Sequence, residues 1–210
     1  MNVLRATWKV CGMRESDNIR QVATLKPDYM GFIFYEPSSR FVGYDFIIPA
    51  ELPPSTKRVG VFVNHSISFV KATARKHQLH YAQLHGEESI TYCEELWQQD
   101  IKIIKVFHVD EDFDFDTTHP FEQVADYFLF DTKGKLYGGN AKPFDWTLLN
   151  KYNQSVPFFL SGGINADNIK SLKEYTLFNI HAIDINSGVE DKPGVKNTDK
   201  ISEIINHLHI

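Results

Sequence analysis

The sequence predicts a single (β/α)8 (TIM) barrel spanning residues 1–210, and three observations carry that expectation. Eight short runs rich in Val, Ile and Phe begin about 21 to 30 residues apart. Segments of helical spacing lie between most of them, and residues able to do chemistry gather where the runs end. Strand, helix and strand repeated eight times in a chain of this length closes a parallel sheet on itself. An open doubly wound sheet is the structural alternative.

The first run, 8–11, alternates so that Lys9 and Cys11 share one face and Trp8 and Val10 the other. The remaining runs are 29–34, 58–63, 81–84, 102–107, 127–130, 157–160 and 181–185. Helical spacing appears over 16–25, 66–77, 88–99, 165–175 and 197–208, the last three opened by acids or Asn in their first turn. The connections 35–57 and 131–156 are longer and contain Pro, so short or irregular helices are expected there. No second domain, linker or low-complexity tract breaks the pattern.

Composition narrows the class of function. A hydrophobic content of 42% suffices for a full core. The net charge of −5 comes from interspersed acids and bases, with no basic stripe to track phosphates along a polymer, which argues against nucleic acid. The two cysteines, Cys11 and Cys93, fall in a strand and a helix far apart in the chain. That argues against a structural disulfide and for a reducing compartment. No run reaches the ~18 apolar residues of a membrane span, and the N-terminus lacks an apolar h-region. A soluble, cytoplasmic protein is expected, which makes the sequons at Asn64 and Asn153 chance matches.

In a barrel the functional residues belong at the C-terminal ends of the strands. Strand one ends in Cys11-Gly12, and strand two runs into EPSSRFVG, placing Arg40 at the mouth, where its guanidinium could fork onto a carboxylate or phosphate. Strand four ends in QLHGEE, with Gln83 and His85 at the rim. Strand six ends in Asp131, a carboxyl whose proton affinity should rise with dehydration unless it gains partners, as suits a general acid. Strands seven and eight end in Ser161-Gly162-Gly163 and Asn186-Ser187-Gly188. Such turns let backbone N–H groups approach an anion, and in barrels these two loops frequently hold a phosphate. Strands one and six lie three steps apart around the closed sheet, so Cys11 and Asp131 face each other across the mouth. A phosphorylated small molecule held at Gly162, Gly163 and Ser187 would lie between a thiol and a carboxyl, the layout of a proton-transfer isomerase. Lys9 either stabilises a Cys11 thiolate or pairs structurally with Asp184; spacing alone leaves both readings open.

Other groupings fail on their own terms. DEDFDFD at 110–116 has Phe115 where a calcium loop needs Gly, and Phe121 where it needs Glu. His77 with His80, and His207 with His209, lack the partners of a metal site. Cys93 reads as a small core residue.

Taken together, KVCGMR at 9–14, GFIFYEPSSRFV at 31–42, VGVFVN at 59–64, QLHGEE at 83–88, Asp131, FDW at 144–146, LSGGIN at 160–165 and DINSGVE…PGVKN at 184–197 resemble the phosphoribosylanthranilate isomerase family nearly end to end. The resemblance implies an Amadori rearrangement in tryptophan biosynthesis on a barrel that needs no metal or organic cofactor, and, apart from the resemblance, no exposed sheet edge or heptad in the sequence calls for an obligate protein partner. It implies Cys11 as general base, Asp131 as general acid, Arg40 at the anthranilate end, and Gly162, Gly163, Ser187 and Gly188 around the phosphate, with Asp184 beside them. Where the family usually reads GGTG after strand six, this chain has Gly138-Gly139-Asn140-Ala141. A neighbouring reaction on the same barrel would place other residues at the strand ends, an aspartate after strand one or several lysines. A non-catalytic barrel that binds a phospho-sugar would have no need to keep both Cys11 and Asp131.

Overall fold

Runs of β-branched and aromatic residues pair here as eight parallel strands. In the computed structural model, which describes residues 7–134, 143–175 and 177–208, they are β1 (Thr7–Val10), β2 (Tyr29–Ile33), β3 (Lys57–Phe62), β4 (Tyr81–Leu84), β5 (Ile103–Val109), β6 (Tyr127–Thr132), β7 (Phe158–Leu160) and β8 (Ile180–Ile185). They close in chain order into a barrel. The closing seam pairs β1 with β8 and sets Lys9 directly opposite Asp184.

The strand faces divide the core. Trp8, Phe32, Phe62, Phe128 and Phe158 look outward into the layer beneath the helices, while Tyr29, Tyr81, Ile104, Leu129 and Phe159 fill the interior. Tyr29 meets Phe159 edge-on at 5.1 Å, and Tyr127 stacks on His181 at 4.1 Å. These rings plug the N-terminal end, and the polar interior positions collect at the opposite end.

Helices cover β1, β3, β4 and β8: α1 (Ser16–Ala23), α2 (Ile67–His77), α3 (Ile90–Trp97) and α4 (Thr198–Leu208). Ser66 and Ser89 cap α2 and α3 by accepting from the N–H groups of Phe69 and Tyr92. Asn197 accepts from Asp199 and Lys200 to open α4. Glu88, expected in a helical first turn, instead turns inward, receiving the Gly86 N–H and pairing with buried Lys105 at 3.1 Å.

The helix expected over 165–175 is only a 3-10 segment, Ile169–Tyr175. Asn165 and Asn168 account for the shortening: Asn165 Oδ1 accepts from the Asp167 and Asn168 N–H groups, and Asn168 Nδ2 donates to the Gly163 carbonyl. These local bonds compete with the first helical turn. The connection after β6 carries the 3-10 segment Trp146–Lys151. A small antiparallel ribbon, β9 (Glu190–Lys192) with β10 (Val195–Lys196), follows β8.

The rejected groupings are structural among the described residues. His77 packs between Phe34 and Phe46, and His80 Nδ1 accepts the Arg58 N–H at 3.0 Å. Asp110 pairs with Lys133, and Asp114 caps the 3-10 segment Phe115–Phe121. Cys93 is fully buried in α3. Both cysteines are free thiols.

Candidate active site

Cys11, Arg40, Asp131, Gly162, Gly163, Asp184, Ser187 and Gly188 all line one cleft at the C-terminal mouth of the barrel. The segment 135–142, with the Gly138-Gly139-Asn140-Ala141 departure, lies outside the described residues, as does His209.

Cys11 follows the inward alternation of β1 and is 4% exposed. Gly31 on the next strand makes room for it: a Cβ there would sit 2.8 Å from Cys11 Sγ. Burial pushes the thiol's pKa up, opposed by the charge of Lys9. Lys9 itself is wholly buried, its Nζ 2.9 Å from Asp184 Oδ2. Burial disfavours the ammonium, but Asp184 and then Cys11 outweigh it and hold Lys9 charged. The two roles left open for Lys9 therefore coincide in one geometry: a structural bridge to Asp184 that also faces the thiol.

That bridge has an energetic consequence. Lys9→Met leaves the Asp184 carboxyl buried without its partner and is expected to destabilise the fold by about 3–5 kcal/mol. The double change to Lys9→Met with Asp184→Leu should recover most of the loss, as read from denaturant midpoints; equal stability of the single variant and the wild type would contradict a charged pair.

Asp131 differs from the expectation of raised proton affinity. Burial does push its carboxyl up, but His85, His108 and the Thr132 N–H outweigh that and hold it below the usual range. The carboxyl has gained partners. His85 Nε2 lies 3.5 Å from Asp131 Oδ2, and the Thr132 N–H donates to Oδ1 at 2.9 Å.

Arg40 reaches the mouth, but its fork is already engaged: Nε and Nη2 donate to Glu190 at 2.9 and 2.6 Å. Glu190 also receives Lys196 at 2.7 Å, and Lys196 donates to Asn186 Oδ1 at 2.6 Å. Burial pushes Lys196 down to about 8, against the pull of Glu190. Burial raises the Glu190 carboxyl, and Arg40 and Lys196 reverse the shift. Sequence reasoning missed this Asn186–Lys196–Glu190–Arg40 chain, although DINSGVE…PGVKN contains three of its members.

The loops after β7 and β8 lie in contact. A Cβ on Gly188 would overlap the Ile164 carbonyl oxygen, so only glycine permits this approach. Gly162 and Gly163 take φ of 87° and 69°, the left-handed region open to glycine. The turn after β8 is a single 3-10 turn, Ser187–Val189, rather than a helix N-terminus.

Fold and mouth define a (β/α)8-barrel protein whose polar groups converge on one small-molecule cleft. The family model for N-(5′-phosphoribosyl)anthranilate (PRA) isomerase matches residues 8–207, and the chain belongs to that family. A curated relative from Parabacteroides distasonis, N-(5′-phosphoribosyl)anthranilate isomerase, is 43% identical over 206 residues, covering 95% of this chain and 92% of its own. The crystal structure of phosphoribosyl anthranilate isomerase from Thermotoga maritima superposes with a TM-score of 0.81 at 31% identity, covering 97% of this chain and 98% of that one. A further isomerase structure, in complex with reduced 1-(o-carboxyphenylamino)-1-deoxyribulose 5-phosphate, gives 0.79 at 30% identity over 97% and 98% of the two chains.

Proposed function

We propose that this chain, acting as one domain over residues 1–210, isomerises N-(5′-phosphoribosyl)anthranilate to 1-(2-carboxyphenylamino)-1-deoxyribulose 5-phosphate in the cytoplasm. The observation that carries the reading is family membership together with Cys11 and Asp131 both lining one cleft. Two unpaired cysteines support the reducing setting.

Asp131 donates a proton to the furanose ring oxygen as the C1′–O bond breaks, and the anthranilate nitrogen lone pair forms the C1′=N bond of an iminium. Cys11, as thiolate, removes the C2′ proton; the C2′–H electrons form C1′=C2′ and the C=N pair returns to nitrogen. The resulting enol tautomerises to the ketone. The substrate supplies what the free cleft lacks for the first step: its phosphate and carboxylate bring negative charge and displace water, and both favour a protonated Asp131. Gly162, Gly163, Ser187 and Gly188 surround the phosphate. Arg40, held by Glu190, offers Nη1 to the anthranilate carboxylate, and Asp184 fixes Lys9 beneath the thiol.

The test is conversion of freshly generated substrate by the purified protein, followed by the change in anthranilate fluorescence. Rapid turnover is expected without added metal, and no conversion by folded protein would overturn the proposal. Because burial raises the Cys11 pKa, and alkylation requires the thiolate, the rate at which iodoacetamide modifies Cys11 in the free protein should rise with pH and keep rising past the point where an ordinary thiol titrates. An alkylation rate level from neutral pH upward would speak against a buried, protonated thiol.

A further inference from the structure

Three consecutive strands, β4, β5 and β6, each end in a group able to ligate a metal. His85 and Asp131 are both 7% exposed, and His108 stands directly opposite Asp131 in the register of β5 with β6. One imidazole nitrogen from each histidine and a carboxylate oxygen of Asp131 lie within 4.8 Å of one another. We propose that these three residues bind a first-row transition-metal dication of the zinc class, and that occupation of this site shuts the cleft to catalysis. The inhibitory half rests on the acid role proposed above for Asp131, whereas the binding half stands on geometry alone.

One buried atom points to the ligand: His85 Nε2 is buried without a hydrogen-bond partner. The 3.5 Å from His85 Nε2 to Asp131 Oδ2 is long for a hydrogen bond, which centres near ~2.9 Å. It is close to the ~3.4 Å between two ligands of a tetrahedral zinc with ~2.1 Å bonds. On the other side of the ring, Gln83 Nε2 lies 3.0 Å from His85 Nδ1. Turning the Gln83 amide over, an orientation chosen by hydrogen bonding, lets Oε1 accept from Nδ1–H and leaves the Nε2 lone pair for a metal. The ion then gives His85 Nε2 its partner, while the turned Gln83 amide, its Oε1 paired by Nδ1–H, fixes the ring as outer-shell amides and carboxyls do at metal sites. His108 is only partly buried, with Nε2 3.3 Å from the His85 carbonyl, and its ring would have to turn toward the ion to complete the set.

Two imidazoles and one carboxylate select zinc, cobalt or nickel over the oxygen-seeking calcium and magnesium. Three protein ligands leave a fourth position open, and His85 and Asp131 direct it into the cleft. A metal there occupies the carboxyl that the reaction needs and competes with the substrate.

The probe is Zn2+ alone, titrated calorimetrically into the full-length protein in chelator-stripped buffer, with Co2+ absorption as a second readout. One ion per chain is expected. His108→Asn and His108→Gln should each weaken binding by about 100-fold or more, beyond the ~10- to 100-fold that losing an outer-shell partner costs, while Cys11→Ser leaves it unchanged. Zn2+ should inhibit the isomerase competitively and a chelator should restore it; the turnover that His108→Asn retains should resist zinc that silences the wild type. No stoichiometric binding, equal binding by the folded His108 variants, or loss of binding in Cys11→Ser would overturn the site. Zinc binding by a protein that never converts the substrate would uphold the site and remove only its inhibitory consequence.

Discussion

Cys11→Ser is expected to lower kcat by about 100- to 10,000-fold, the range that a positioned general base contributes, with little change in affinity for the reduced product analogue. The hydroxyl fits the space that Gly31 leaves for the thiol, and Lys9 and Asp184 keep their bridge. What is lost is basicity: a serine alkoxide is out of reach near neutral pH, whereas the thiol, though raised by burial, is countered by Lys9 and Lys196. Steady-state kinetics with a parallel fluorescence titration separates the two effects. Turnover near the wild-type value would remove Cys11 from the mechanism.

Asp131→Asn is expected to produce a loss of similar size at a different step. The amide can still accept the Thr132 N–H but has no proton to lend to the ring oxygen. Substrate deuterated at C2′ distinguishes the two variants. Cys11→Ser leaves proton removal limiting and should retain a primary isotope effect, whereas Asp131→Asn makes ring opening limiting and should suppress it. A full isotope effect in Asp131→Asn, or activity close to the wild type, would assign the acid elsewhere.

Much of the architecture is legible from local signals. Each strand is a short run of Val, Ile, Phe or Tyr, and alternation alone puts Lys9 with Cys11 and Leu129 with Asp131 on the inner face. The residues of the cleft are legible for the same reason, since a barrel exposes whatever follows its strands at one end. The partners of those residues are not. Nothing local says that Arg40 meets Glu190, 150 positions later, or that three neighbouring strands would bring His85, His108 and Asp131 together. Those contacts depend on register across the closed sheet, and the lowered proton affinity of Asp131 follows from them. The helix expected after β7 was missed differently: its spacing is helical, but Asn165 and Asn168 offer the backbone other bonds.

The seam between β1 and β8 bears on how the molecule is made. Lys9 and Asp184 are separated by 175 positions, so on a ribosome the first strand emerges long before the strand that completes it. Until β8 arrives, a buried ammonium at Lys9 has no counter-charge and β1 has one unpaired edge. The N-terminal strand therefore has little reason to dock early, despite leading the chain. Closing so long a loop carries only a modest extra entropic cost, since that cost grows with the logarithm of length, but it comes at the end. A nascent chain stopped short of β8 thus holds Cys11 outside any finished cleft, and the arrival of that strand and the assembly of the cleft become one event.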